Sequence, residues 1–256
     1  MHTDTERALA SANSVRVNER RLTGNRFLDA LPAVAADAVA NAADLVVIGL
    51  NARLASAGDP IGRVLFPVSG AVAHLIEHDD GHAADLYTVG HEGVVGHEVL
   101  LGEPRAVFAR VTSVPVCGFS IESDALLALA RDSAELRALA GRYAVATARL
   151  AGIGAACERH HQVAARLARW LLDLYDHAGS APMTITHERA ALSLDVRRAS
   201  VTRAYADVAA TGAIRVVRGK VAVLEPGILE ELACGCRRLA QETVNVVYAD
   251  APVPER

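Results

Sequence analysis

The chain has no run of about eighteen uninterrupted apolar residues, so no membrane-spanning helix is expected. Its opening, Met-His-Thr-Asp-Thr-Glu-Arg, lacks the basic-then-apolar order of a secretory signal, and a soluble, cytoplasmic protein is the expectation. Lysine is almost absent: Lys220 is the only one, and arginine carries the remaining positive charge, which a GC-rich coding sequence explains as readily as function. Aromatics make up only 4%, so the 52% hydrophobic fraction comes mostly from Ala, Val and Leu. Cysteine is scarce, with Cys117, Cys157, Cys234 and Cys236 and none earlier. The Cys234-Gly235-Cys236 pair has no second pair at zinc-finger spacing, so buried free thiols are expected and no metal. No Gly-x-Ser-x-Gly elbow or phosphate loop occurs, and no cupin-like His-x-His with a following Glu. The chain is therefore expected not to be an enzyme. At 256 residues it can hold one large or two modest domains.

What the sequence does have is concentrated between Ile185 and Lys220. Thr186 can N-cap a helix whose inward face carries Ala190, Ala191 and Leu194. Asp195 falls at a tight turn that wants a residue tolerant of positive φ. A second helix opens with Arg197, Arg198, Ser200, Thr202 and Arg203, while Val201 and Tyr205 pack back on the first. After Thr211-Gly212, the run Ile-Arg-Val-Val-Arg-Gly-Lys-Val-Ala-Val-Leu reads as a two-stranded wing with Arg218 and Lys220. An Arg- and hydroxyl-rich helix opening suits base edges and phosphates in a major groove. Seven basic residues stand against three acidic ones from Thr186 to Lys220, within a chain of net charge -4. DNA binding is predicted for Thr186, Arg197, Arg198, Ser200, Thr202, Arg203, Arg218 and Lys220.

Upstream, residues 1–24 are polar and irregular and read as a mobile arm. Arg26 to Ala40 is helical, interrupted by Pro32. From Ala43 to about Ile121, short apolar runs are punctuated by Gly, Asp and Pro, and Asp79-Asp80-Gly81 marks a hairpin, so many short strands in a barrel or roll are expected. A long helix follows, with Asp132 and Glu135 as a capping pair. Leu136, Tyr143, Leu150 and Cys157 recur every seven residues, and Leu139, Ala146 and Ile153 follow three positions later. That stripe predicts a dimer seam in preference to a helix packed on its own barrel, with Gly152, Gly154, Ala155 and Ala156 permitting close approach of a partner helix. Trp170 reads as core. His74, His78, His82, His91, His97, His160 and His161 read as exposed turn residues, with a metal or haem site the alternative.

Roll, long helix and winged helix in that order resemble the Crp/Fnr superfamily of bacterial transcription regulators. The resemblance rests on Phe66-Pro67-Val68-Ser69-Gly70, Gly90-His91-Glu92-Gly93-Val94-Val95-Gly96, Arg166-Leu167-Ala168-Arg169-Trp170-Leu171-Leu172 and Val196-Arg197-Arg198-Ala199-Ser200-Val201-Thr202-Arg203. It implies an α+β fold: an N-terminal double-stranded, jelly-roll-like β-roll at 25–130 that senses an effector, a dimerisation helix at 131–161, a winged helix-turn-helix domain at 162–236 and a C-terminal tail at 237–256. It implies as partners a second copy, promoter or operator DNA, and RNA polymerase. In cyclic-nucleotide-binding members the pocket carries Gly-Glu and Arg-Ser or Arg-Thr; here the corresponding residues are Gly96, His97, Arg105 and Ala106. No cofactor is implied, and cyclic AMP is not the expected effector. Nor is an iron–sulfur cluster, since no cysteine lies in the N-terminus. Ala199 stands where several members have Glu. The competing reading is a cupin-like β-roll binding a small molecule or metal, with a helical tail that does not touch DNA; a third is a nucleotide-binding module that signals through protein contacts alone.

Overall fold

The computed structural model describes residues 24–79, 83–179 and 182–249. Most of the expected arm and the tip of the Asp79-Asp80-Gly81 hairpin, with His82, lie outside the described residues. Two helices open the fold, α1 (Arg26–Asp29) and α2 (Ala33–Ala42), with Pro32 ending one run and preceding the next. Asn25 is buried and fully used. Its Oδ1 accepts from the amides of Phe27 and Leu28, both at 3.1 Å, and its Nδ2 donates to the carbonyls of Pro67 and Gly93, both at 2.8 Å.

Strands β1 (Asp44–Ile48), β2 (Arg53–Ala55), β3 (Arg63–Glu77), β4 (Ala83–Val89) and β5 (Ala109–Glu122) form one antiparallel sheet. Its order is β1-β5-β3-β4, with β2 also on β5. The sequence predicts many short strands; the structure instead has β3 and β5 paired along most of their length. Pro67, Gly70 and Pro115 break the alternation in the sequence, yet in the sheet they mark register shifts between Pro67 and Val72. Such bulges bend a strand without ending it.

Helix α3 (Ser123–Asp132) leads into α4 (Ala134–His160), the long helix. Its cap is Ser133, whose side chain accepts from the Leu136 amide at 3.1 Å, in place of the predicted Asp132/Glu135 pair. The predicted seam also needs correction. Leu136, Leu139, Tyr143 and Ala146 are buried against Phe27, Phe66, Val94, Ile121 and Leu126 of the same chain. Leu150 and Ile153 border an internal cavity, and Cys157 packs with Cys234 and Cys236. An a/d stripe marks an apolar face without saying which body covers it, and here the roll does. Gly154 likewise serves the chain itself, since a Cβ there would sit 2.8 Å from the Leu86 carbonyl oxygen.

The C-terminal part comprises α5 (Val163–Ala178), β6 (Met183–Thr184), α6 (His187–Ser193), α7 (Arg198–Ala210), β7 (Ile214–Val217), β8 (Lys220–Val223) and α8 (Pro226–Leu232). Leu167, Trp170, Leu171 and Leu174 of α5 form its core with Leu194, Val201, Tyr205 and Leu229. Residues from 237 onward read as a tail in the sequence, but Cys236–Val247 form a helix, α9, that returns to the roll. Val247 enters the roll core, and the Tyr248 hydroxyl donates to the Glu92 carbonyl. Among the described residues, no helix is long and apolar enough to cross a membrane.

Arg237, at the start of α9, is buried and joins three elements. It reaches Asp173 at 2.6 Å and Asp176 at 2.8 Å on α5, and Glu230 at 2.8 Å on α8. Asp176 and Glu230 are half-exposed and rehydrate when the arginine is removed, so the loss falls mainly on Asp173 and sits at the low end of the buried-pair range, about 3 kcal/mol. Arg237→Ala is therefore expected to lower the thermal midpoint by about 6 °C or more, measured by calorimetry. An unchanged midpoint would show that α9 is not held by this network.

Candidate nucleic-acid interface

Helix α6 starts where the Thr186 hydroxyl accepts from the Arg189 amide at 3.1 Å. The chain leaves it through Asp195, at φ 45°, where Asp is among the tolerated residues. Arg166 of α5 donates to the Leu194 carbonyl and holds the turn from behind. Helix α7 buries Val201, Ala204, Tyr205 and Val208 against the core. That leaves Arg197, Arg198, Ala199, Thr202 and Arg203 exposed on its outer face, with Ser200 half-buried. In the wing, Arg218 (φ 49°) and Gly219 (φ 75°) both take left-handed conformations between Val217 and Lys220. A two-residue turn with both φ positive suits the strand twist and places Arg218 and Lys220 at the exposed tip.

The Arg198 guanidinium pairs with Glu188 of α6 at 2.6 Å, but both side chains are well exposed. Water and salt screen such a pair, so it contributes little and a phosphate can displace the carboxylate. His187 lies within hydrogen-bonding distance of Thr202, 3.1 Å from Nδ1 to Oγ1, and stacks on Tyr205 at 5.0 Å. Sequence reasoning passes over His187, because a lone histidine at a helix start carries no pattern. Arg189 counts toward the local positive charge in the sequence, yet it points away from this face. It pairs with Asp85 of β4 at 3.0 Å and fixes α6 to the roll. Burial raises the Asp85 carboxyl above its ordinary range, and Arg189 works against that rise.

The predicted effector residues do not form a pocket. His97 and Ala106 are buried, but Arg105 is exposed and donates to the Gly58 carbonyl at 2.9 Å. The roll interior instead holds a buried ion pair, Arg110 to Glu98 at 2.5 Å. His97 Nδ1 lies 3.6 Å from the same carboxylate, and His74 stacks on Tyr87 at 4.5 Å. Contrary to the sequence reading, His74 and His97 are not exposed turn residues. Burial pushes both imidazoles below their usual range, and the Arg110 charge adds to this at His74. The space left beside Leu54, Ile61, Val95 and Arg110 is about 30 Å³. A larger cavity of about 370 Å³ opens at the junction of roll and reader, bordered by Leu150, Glu92, Trp170, His177 and Arg237. The fold also gathers Cys157, His161, Cys234 and Cys236, so the Cys234/Cys236 pair finds the companions that the spacing hides.

Residues 165–232 match the family of Crp-like helix-turn-helix domains. No curated protein matches the chain by sequence. Solved structures do match in fold. FixK2 from Bradyrhizobium japonicum aligns at TM-score 0.62 and 16% identity, over 75% of this chain and 98% of its own. The c-di-GMP-responsive global regulator CLP from Xanthomonas campestris aligns at 0.59 and 18%, over 75% and 99%. A CRP-family transcriptional regulator from Thermus thermophilus aligns at 0.59 and 23%, over 73% and 95%.

A pocket for a drug-sized ligand needs about 300 Å³ or more, which the filled roll interior does not offer. Cyclic AMP titrated into the purified protein is expected to give heat indistinguishable from dilution. A dissociation constant in the low micromolar range would overturn this and place the nucleotide either in a roll whose Glu98–Arg110 pair has opened or in the junction cavity.

Proposed function

We propose that this Crp/Fnr-type chain, with its Crp-like helix-turn-helix domain, is a homodimeric, sequence-specific DNA-binding transcription regulator. The observation that carries the reading is the exposed arginine-rich opening of α7 beside an exposed basic wing tip, both set on a fully packed core. Arg197, Arg198 and Arg203 supply charge and forked donors to phosphates and base edges, and Ser200 and Thr202 add hydroxyls. Thr186 and the first amides of α6 face a phosphate, and Arg218 and Lys220 extend the contact along the backbone. Ala199 offers a methyl group where a carboxylate would select cytosine, which favours contact with a thymine methyl. This function places the protein with DNA in the cytoplasm.

The second copy needs a face that the first chain leaves uncovered. On α4 that face is Ala138, Gly141, Val145, Ala148, Gly152 and Ala155, spaced alternately by three and four residues. Five of the six are exposed, Gly141 is partly so, and Val145 is 72% exposed. Small side chains let two helix backbones approach closely. A two-fold pair of readers then spans half-sites one DNA turn, roughly 34 Å, apart.

Arg198→Ala is expected to cost about 1–3 kcal/mol on the specific site and to relax base preference at one position, whereas Lys220→Ala weakens all sequences alike and flattens the salt dependence by about one unit. Both are read from binding isotherms at several salt concentrations. Equal loss on specific and random DNA for Arg198→Ala would remove α7 as the recognition helix. Val145→Glu puts a charge at each copy of the uncovered face and is expected to convert a dimer to a monomer in sedimentation velocity. A variant as dimeric as the wild type would exclude this face.

A further inference from the structure

We propose that Cys157, His161, Cys234 and Cys236 form a four-ligand site for a single zinc ion at the joint between the long helix and the DNA reader. Their ligand atoms all lie within 4.8 Å of one another. Cys157 Sγ and Cys234 Sγ are 3.4 Å apart, and Cys236 Sγ is 3.6 Å from His161 Nδ1. Tetrahedral zinc, with bonds of about 2.3 Å to sulfur and 2.0 Å to nitrogen, places sulfur–sulfur neighbours about 3.8 Å apart and sulfur–nitrogen neighbours about 3.5 Å apart. The site is thus at single-ion size before any ion enters. An iron–sulfur cluster sets irons and sulfides between its thiolates and needs a wider cage.

The surroundings fit such an ion. All three sulfurs are buried, and Ile153 and Ala165 pack around them. Three thiolates, one neutral imidazole and a divalent ion leave one net negative charge. Arg169 of α5, paired with Asp173 at 3.4 Å, acts electrostatically on all three sulfurs, and its buried Nε has no hydrogen-bond partner among the described residues. Cys236 is the first residue of α9, so the helix amides also face the sulfurs.

The ligands come from two distant places for a structural reason. Cys157 and His161 stand one helical turn apart at the end of α4, joined by a 3.0 Å hydrogen bond from the His161 amide to the Cys157 carbonyl. Cys234 and Cys236 lie between α8 and α9, where the chain turns back toward the roll. The Cys234 amide donates to the Ala165 carbonyl at 3.4 Å. The ion would therefore fasten the entry to the reader to its exit.

The test uses the full-length chain, purified under reductant without chelator, and does not depend on DNA binding. Elemental analysis is expected to find about one zinc per chain. After stripping, cobalt(II) restores a tetrahedral thiolate spectrum, Cys117→Ser keeps the metal, and Cys234→Ser with Cys236→Ser loses it. Because the double variant could unfold, a thiol reagent is also applied to the native wild type. One thiol is expected to react before chelation and all four after it. Reduced wild type that takes up no zinc or cobalt when either is supplied in excess would overturn the site, as would four thiols equally reactive with and without chelator. Air oxidation to a Cys157–Cys234 disulfide in a chain that binds neither metal when reduced would overturn it as well.

Discussion

The β3–β5 pairing is the constraint on which the rest of the molecule depends. At Gly70, with φ 82°, an added Cβ would lie 2.0 Å from the Pro115 carbonyl oxygen, so only glycine lets the two strands cross there. Gly118 does the same for the Phe66 carbonyl, where a Cβ would come to 2.5 Å. These two contacts allow a pair of long strands to bend within one ladder. The bend faces Phe66 and Ile121 into the roll core, while Ala71 and Val114 face outward into the core of the helix-turn-helix part, the reader of the proposed function. Roll and reader therefore share a strand pair, and displacing the reader exposes apolar surface on β3 and β5.

Charges reinforce that joint where apolar packing ends. Arg189 reaches across from α6 to the buried Asp85 of β4, and Arg237 gathers Asp173, Asp176 and Glu230. Burying a charge is costly unless it is paired, so each pair fixes an orientation more than it adds net stability. The reader's first helix cannot swing away from β4 without leaving Asp85 unpaired or hydrating it. Helix α6, and α7 packed against it, is thereby tied to β4 of the roll by charge as well as by apolar contact.

How much of this was legible in the sequence differs by region. The helix-turn-helix and wing could be read because their signals are local: a capping threonine, an αL-tolerant Asp195 and Arg218-Gly219 at a hairpin tip all lie within a few residues of what they determine. The roll was legible as a class but not in its strand lengths, since Pro67 and Gly70 look like a break between runs and instead lie inside β3 at its register shifts. On α4 two heptad stripes coexist. The larger residues, Leu136 to Cys157, draw the eye but are used up inside the chain, whereas the smaller stripe through Val145 remains uncovered. Cys157 and Cys234 touch across 77 residues of sequence, a proximity no local spacing could reveal.

The C-terminal helix alters how the two halves can move. With a free tail after position 236, the backbone would pass between the two halves only once, at His161 and Gln162. Instead the chain crosses between the halves twice, once after α4 and once into α9, and both crossings meet at Cys157, Ala165 and Cys234. Beyond that point α9 runs back to the roll and is held by Val247, by the Tyr248 hydroxyl on Glu92, and by Arg142 on the Val247 carbonyl at 3.3 Å. Two crossings that meet at one place act together with the Ala71 and Val114 packing and the Arg189–Asp85 pair, so the C-terminal part is tied to the roll at several separate points. The large cavity lies among these ties, bordered by Tyr87 of β4, Leu150 of α4, Trp170 of α5 and Arg237 of α9, so whatever enters it touches both halves and both crossings at once.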